Sequence, residues 1–250
     1  MPNVFVTPDQ IRGDTLRVTG GDAHHLARVL RLGTGDFFTA LDGAGIEYRA
    51  VVVAVDRDGV LARIEEKSAR QTEPRLRLTL GQALPKGDKM DEVVRKCTEL
   101  GLAEFWPLLA ERCVSVPDES RLPGRVERWQ KIAAEAARQS GRAVVPQVAA
   151  PRKWDEAAAA CGLFDLALLA WEGESATSLR RALEDSPHPT KILVLIGPEG
   201  GFSQTEAKAA AEGGAVPVTL GPRILRTETA GLVAAAAIFY HYGELAMGQA

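Results

Sequence analysis

The residues best suited to chemistry in this chain are Glu199, Arg226 and Glu228, two carboxylates and a guanidinium set beside glycine-rich turns. A carboxylate can take up a proton in a transition state, and a guanidinium can stabilise an anion or position a phosphate. Glu199 sits in Gly197-Pro198-Glu199-Gly200-Gly201, directly after the unbroken apolar run Ile192 to Ile196. Arg226 and Glu228 follow a second apolar run, Val216 to Leu220, in a segment that opens with Gly221-Pro222. Each run reads as a strand buried on both faces. The glycines of the first turn allow torsions and close approaches that a side chain would forbid. Ser203 and Glu206 stand at capping-box spacing, so a helix is expected to begin there, and another from about Thr229 to Leu245. Two strand–turn–helix units in succession predict a cleft at the carboxyl edge of a sheet, with a positive and a negative group beside it.

What these turns lack narrows the ligand. No Lys-Ser or Lys-Thr pair follows the glycines, as a phosphate loop requires, and glycines at 197, 200 and 201 do not fit the dinucleotide fingerprint. Glu199 would repel a polyphosphate. A ligand without phosphate is expected, and a nicotinamide-dependent oxidoreductase is disfavoured.

The elements that must position these groups can be read from the rest of the chain. At 250 residues with 46% hydrophobic side chains, one large or two smaller domains are possible, each with an ample core. No apolar run approaches a membrane span, and the amino-terminal MPNVFVTPDQ lacks a basic-then-apolar signal segment. Cys97, Cys113 and Cys161 are scattered and odd in number, which suggests reduced thiols in a cytoplasmic protein. They do not combine with His24, His25, His188 and His241 into a ligand spacing, so no metal is expected. Net charge is −3, yet residues 75–150 carry a basic excess while both flanks are acidic. A local patch matters more for nucleic acid than the total does.

Residues 1–72 read as a small antiparallel β-barrel, with Asp42-Gly43 and Asp58-Gly59 as hairpin signals. Asp22 is expected to cap a helix burying Leu26, Val29 and Leu30, with Arg28 and Arg31 on one face of it. His24-His25 reads as structural, since adjacent helix positions point apart. From residue 73 strands alternate with helices. Strands are expected near 76–83, 103–109, 146–149, 165–170, 191–196 and 216–220, and helices near 89–100, 122–140, 153–161, 177–184, 203–212 and 229–245. Such alternation implies a mostly parallel sheet covered on both faces. Asp88 and Gly101 bracket the helix at 89–100, whose polar face carries Lys89, Glu92, Lys96 and Glu99, by itself an ordinary ion-paired surface. Lys86, in a Pro-Lys-Gly turn, can reach the cleft edge. The helix at 122–140 offers Arg128, Lys131, Glu135 and Arg138, followed by Gln139 and Arg142, either a phosphate-contacting stripe or an ordinary surface. Trp171 can stack on a planar ring or seal the core.

IGPEGGFSQTE and LGPRILRTETA together resemble the paired signature of the SPOUT superfamily of RNA methyltransferases. The pattern is most similar to the family that methylates N3 of a uracil in small-subunit (16S) ribosomal RNA. HHLARVLRLGTGD, ALPKGDKMDEVVRKCTELG and EAARQSGR extend the resemblance over nearly the whole chain. It implies a PUA-like RNA-binding β-barrel over 1–72, an α/β SPOUT domain over 73–250 with a deep carboxyl-terminal trefoil knot, and a homodimer. It also implies S-adenosylmethionine as cofactor, which removes the difficulty of the missing lysine. Adenine would be held by Ile196, Leu220, Ile224 and Leu225, with Gly197, Gly200, Gly201 and Gly221 admitting the backbone and Trp171, Pro198 and Thr229 beside them. Glu199 would face the ribose, the cationic part of the cofactor or the incoming uridine. Arg226 is the candidate for anion stabilisation or phosphate positioning, and Glu228 or Glu199 the candidate base. Lys86, Lys96, Arg138, Gln139, Arg142, Arg28 and Arg31 are candidate RNA contacts. Alternatives are methylation of a ribose 2′-hydroxyl or another base, or a noncatalytic ribosome assembly factor.

Overall fold

The computed structural model describes residues 1–114 and 118–246. These fall into two units, residues 1–73 with 137–145, and residues 74–136 with 146–250. The expected boundary after residue 72 followed the chain linearly; the excursion at 137–145 has no signature in the sequence pattern.

The first unit contains β1 (Asn3–Phe5), β2 (Ile11–Arg12), β3 (Thr15–Val18), α1 (Gly20–His24), β4 (Phe37–Leu41), β5 (Ile46–Asp56) and β6 (Gly59–Ala69). They form one sheet in the order β1-β4-β5-β6-β3-β2. Its path is open and β1 runs parallel to β4, where a wholly antiparallel barrel was expected. Period-2 alternation sends Leu16, Val18, Phe38, Ala40, Ala50 and Val52 into one core. The short helix departs from expectation. It starts at Gly20 with Thr19 at the N-cap position, so Asp22 lies inside the first turn and does not cap it. A π-turn over His25–Val29 then widens the helix, leaving Leu26 buried but Val29 and Leu30 exposed. Arg31 lies beyond the helix end at φ 56°, so it shares no helix face with Arg28.

The second unit is built from β7 (Arg77–Ala83), α2 (Lys89–Leu100), β8 (Glu104–Leu109), α3 (Leu122–Ser140, whose last turn belongs to the first unit), β9 (Gln147–Val148), β10 (Arg152–Lys153), α4 (Trp154–Ala159), β11 (Leu166–Ala170), α5 (Leu179–Glu184), β12 (Lys191–Ile196), α6 (Gln204–Glu212), β13 (Ala215–Val218) and α7 (Thr227–His241). The strands run parallel in the order β10-β8-β7-β12-β11-β13, with β9 alongside β8. β7 and β12 lie at the centre, and every residue of β12 from Ile192 to Ile196 is buried. That is why the strand is a continuous apolar run. α7 packs against α2 and against β7 and β12. Gly231 permits that approach, because a Cβ there would meet Gln82 Oε1 at 3.1 Å and Leu80 at 3.3 Å. Gly101 ends α2 in the left-handed conformation, as a C-cap glycine does. Asp88 occupies the N-cap position of α2 without a capping side-chain bond. No helix among the described residues is long and apolar enough to cross a membrane.

Candidate functional site

The two glycine-rich turns do not leave neighbouring strands. β13 pairs with β11, not β12, so the turn after β11 lies between them. The register aligns the strand ends, with Ala170 opposite Ile196 on one side and Val218 on the other. Three turns therefore leave the sheet side by side at its carboxyl edge. They enclose a cleft of about 930 Å³ whose walls come from all three, from Lys89 and from Ala230.

The turn after β12 folds tightly upon itself. The Gly201 N–H donates to Pro198 O at 3.0 Å, and Gly201 adopts φ +65°. A Cβ on Gly197 would meet the backbone of Gly201 and Phe202 at 3.2 Å, so glycine is needed for this closure. Ser203 and Glu206 form the expected capping box at the start of α6, and Glu206 also accepts the Glu111 N–H at 2.7 Å. Trp171 Nε1 donates to Phe202 O at 3.3 Å, while the ring packs on the core and lines the cleft. In the turn after β11, Glu174 accepts the N–H groups of Ala176 and Thr177, and Thr177 and Thr219 join this turn to the one after β13.

The turn after β13 crosses back over the sheet. Thr227, at the start of α7, donates its hydroxyl to Gly197 O at 2.6 Å and accepts from Gln82 Nε2 at 2.8 Å. Thr227 thus joins the carboxyl ends of β7 and β12, although its own strand lies beyond β11. Gln82 is fully buried, and its Oε1 has no hydrogen-bond partner among the described residues.

Two charges of the cleft wall, Lys89 and Glu199, meet a third, Glu228, which does not line it. Lys89 Nζ lies 2.8 Å from Glu199 Oε1 and 3.4 Å from Glu228 Oε2. Glu199 also accepts the Lys86 backbone N–H at 3.1 Å. Burial alone would raise the Glu199 pKa, but bonds from Lys89 and the backbone hold it below the usual carboxylate value. The Lys89 pKa is raised, chiefly by its hydrogen bond to Glu199. Glu228 is only 13% exposed, and its Oε2 has no donor among the described residues other than the Lys89 ammonium at 3.4 Å.

Most of the residues singled out in the sequence meet here. Trp171, Ile196, Gly197, Pro198, Glu199, Gly201, Leu220, Gly221, Ile224, Leu225 and Arg226 all line the cleft. Gly200, Glu228 and Thr229 do not; a Cβ on Gly200 would face Arg112 at 3.2 Å, and Thr227 stands where Thr229 was expected. Lys86 contributes its backbone, and Lys89 takes the position at the cleft. Lys89 was legible only as one charge among four on the polar face of α2. Its partners come from residues over a hundred positions away.

The candidate RNA contacts are dispersed. Lys86 and Lys96 lie in the second unit, and Lys96 pairs with Glu92 one helical turn away. Arg28, Arg31, Arg138, Gln139 and Arg142 lie in the first unit. Arg28, Arg31 and Gln139 are exposed and Arg138 is half-buried. Arg142 is buried, contrary to its expected place on a surface stripe, and its guanidinium donates to Glu73. Glu73 accepts the N–H groups of Ala143 and Val144 as well, so this pair fixes the 142–144 segment. Among the described residues no three His, Cys, Asp or Glu side chains group as metal ligands.

Comparison with known proteins agrees with this architecture. An RNA methyltransferase domain model matches residues 72–239, and an RNA methyltransferase PUA domain model matches residues 18–65. Ribosomal RNA small subunit methyltransferase E of Synechocystis sp. is 42% identical over 236 residues, covering 94% of this chain and 76% of that protein. The protein of the same name from Bacillus subtilis is 34% identical over 242 residues, 95% of this chain and 94% of its own. Ribosomal RNA small subunit methyltransferase E from Neisseria gonorrhoeae, solved bound to S-adenosyl methionine, superposes with a TM-score of 0.82 at 32% identity over 96% of this chain and 97% of that one. A Legionella pneumophila protein solved with bound cofactor SAM gives a TM-score of 0.83 at 30% identity over 95% and 96% of the two chains.

Proposed function

The chain belongs to the ribosomal RNA small subunit methyltransferase E family, and from that premise we propose that it methylates N3 of a uridine in small-subunit (16S) ribosomal RNA. S-adenosylmethionine is the cofactor in this reading, as in the relatives solved with it. The observation that carries it is the convergence of three turns on a cleft that has acidic side chains and no phosphate-loop lysine. The fit is chemical as well as spatial. Apolar walls from Ile196, Leu220 and Leu225 suit a purine, turn backbone is available to its edge, and Glu172 and Glu174 suit a ligand carrying cationic groups. Bound there, S-adenosylmethionine supplies a methyl on a sulfonium, and N3 takes it as the N3–C bond forms and the S–C bond breaks.

The protein's own task is to hold the base in line and to remove the N3 proton. Glu228, whose buried Oε2 has no donor among the described residues other than the Lys89 ammonium, is our candidate acceptor for that proton. Glu199, already engaged by Lys86 and Lys89, is better suited to holding its turn than to acting as the base. Arg226, exposed at the cleft, is placed to meet RNA phosphate or the developing anion. Residues 1–72 would serve as the PUA-like guide for RNA and residues 73–250 as the catalytic domain, with Arg28, Arg31, Arg138 and Gln139 among the RNA contacts. The return of Thr227 over the β11 turn to Gly197 and Gln82 supports a threaded trefoil knot. Val233 and Tyr240, exposed on α7, support a homodimer packed through that helix. A cytoplasmic location follows from the substrate.

Two measurements test the reading. Calorimetry should detect S-adenosylmethionine binding; its absence would favour a noncatalytic assembly factor. Mass mapping of ribosomal RNA from a deletion strain should show one N3-methyluridine lost from the small subunit, whereas loss of a ribose methyl or of a methyl on another base would move the chain to a different methyl acceptor.

A further inference from the structure

We propose that Lys89 is a catalytic residue, the cation that stabilises the uracil anion formed when N3 loses its proton. This deepens the N3 reading and rests on it. An ammonium has three N–H donors. Glu199 at 2.8 Å and Glu228 at 3.4 Å can occupy two of them, and the third is left for the cleft that Lys89 lines. The side chain is 34% exposed, so it is anchored yet reachable.

The position makes little sense for stability alone. Lys89 is the first residue of α2, where the helix dipole favours anions and a lysine is locally disfavoured. Its two partners come from separate turns, after β12 and at the start of α7, so the ammonium stands where the cofactor cleft and those two turns meet.

Charge balance supports the assignment. One lysine and two carboxylates carry a net charge of −1, which disfavours a free uracil anion beside them. If Glu228 takes the proton from N3, however, the charge of the trio with its substrate is unchanged. The N3–H bond breaks, its electron pair stays on the uracil ring, and the proton forms an O–H bond on Glu228. Negative charge moves from a carboxylate onto the uracil carbonyl oxygens, and the remaining Lys89 N–H is placed to meet one of them. Methyl transfer then consumes the ring anion, and Glu228 returns its proton to water.

The test uses small-subunit RNA transcribed with uridine or with 5-fluorouridine and assembled into subunits with ribosomal proteins. Fluorine withdraws electrons, so N3–H is more acidic and its anion needs less help. Lys89→Met should slow single-turnover methylation of uridine by about a hundredfold or more, as loss of one anion-stabilising donor does. On 5-fluorouridine the deficit should shrink by about tenfold, and Lys89→Arg should recover the uridine rate to within about tenfold. S-adenosylmethionine affinity measured by calorimetry should stay within about threefold of wild type. An equal deficit on both substrates, an unchanged rate, or a rate loss matched by lost cofactor affinity would each overturn the role of Lys89. If Lys89→Met does not fold, Lys89→Gln decides the same comparison. The wild-type product is identified in parallel. A methyl on any atom other than N3 overturns the underlying reading, whereas N3-methyluridine with an equal deficit overturns Lys89 alone.

Discussion

The cleft at the ends of β11, β12 and β13 and the charged helices α2 and α3 were read from the same sequence by the same logic, yet they fare differently. At the cleft most residues chosen from turn chemistry are in place, with Gly200, Glu228 and Thr229 the exceptions. On the helices, and just past the end of α3, the selected cations are mostly committed to nearby acids: Lys96 to Glu92, Lys131 to Glu127, Arg128 to Asp91 and Arg142 to Glu73. A glycine, or an apolar residue ending a buried strand, carries its constraint in its own backbone or burial. A charge carries none until its partner is known.

The largest expected test of this contrast is Arg142→Ala. Removing one member of a buried ion pair leaves Glu73 uncompensated and should destabilise the protein by about 3–5 kcal/mol, read as a lowered melting temperature. If stability holds while the salt dependence of RNA binding weakens, Arg142 is an RNA contact after all and the contrast fails.

Next come the two glycines of one turn. Gly197→Val should weaken S-adenosylmethionine binding by at least about a hundredfold, near 2.7 kcal/mol, because its side chain would push the backbone of Gly201 and Phe202 away and open the turn. Gly200→Ala should change the affinity by no more than about threefold, since its Cβ points at Arg112. Equal losses in calorimetry would mean that the turn acts as a rigid whole and that the direction of each glycine is immaterial.

Thr227→Val is a smaller perturbation. It removes the hydroxyl shared by Gln82 and Gly197 and should destabilise by about 1–3 kcal/mol, with a parallel loss of cofactor affinity. Denaturant unfolding with and without S-adenosylmethionine checks both. Loss of stability with unchanged affinity would separate the core bond from the cleft. The smallest effect is expected for Lys96→Ala, which breaks one exposed pair within a helix turn and should leave the melting temperature and the salt dependence of RNA binding near wild type. A flattened salt dependence would return Lys96 to the RNA surface.

Much of the second unit was legible. The continuous apolar run at 192–196 is buried on both faces, Ser203 and Glu206 cap α6, and α2 ends at Gly101, because each signal is local. The first unit was read less well where a local pattern was interrupted. The π-turn after His24 shifts the helix surface, so Val29 and Leu30 face outward although their spacing promised a buried stripe. Nor did spacing announce that residues 137–145 leave the second unit for the first.

By itself the sequence determined where the buried strand β12 ends, that a glycine-rich turn follows it and that α6 begins at a capping box, and it carried the expectation of a ligand without phosphate. These are properties of single residues and their immediate neighbours, and they persist whatever packs against them. Only the tertiary structure decided that β11 lies between β12 and β13, that Thr227 returns to Gly197, and that Lys89 stands between Glu199 and Glu228. Strand order and ion pairing are relations between segments far apart in the chain, set by which faces bury together and which charges are then left adjacent.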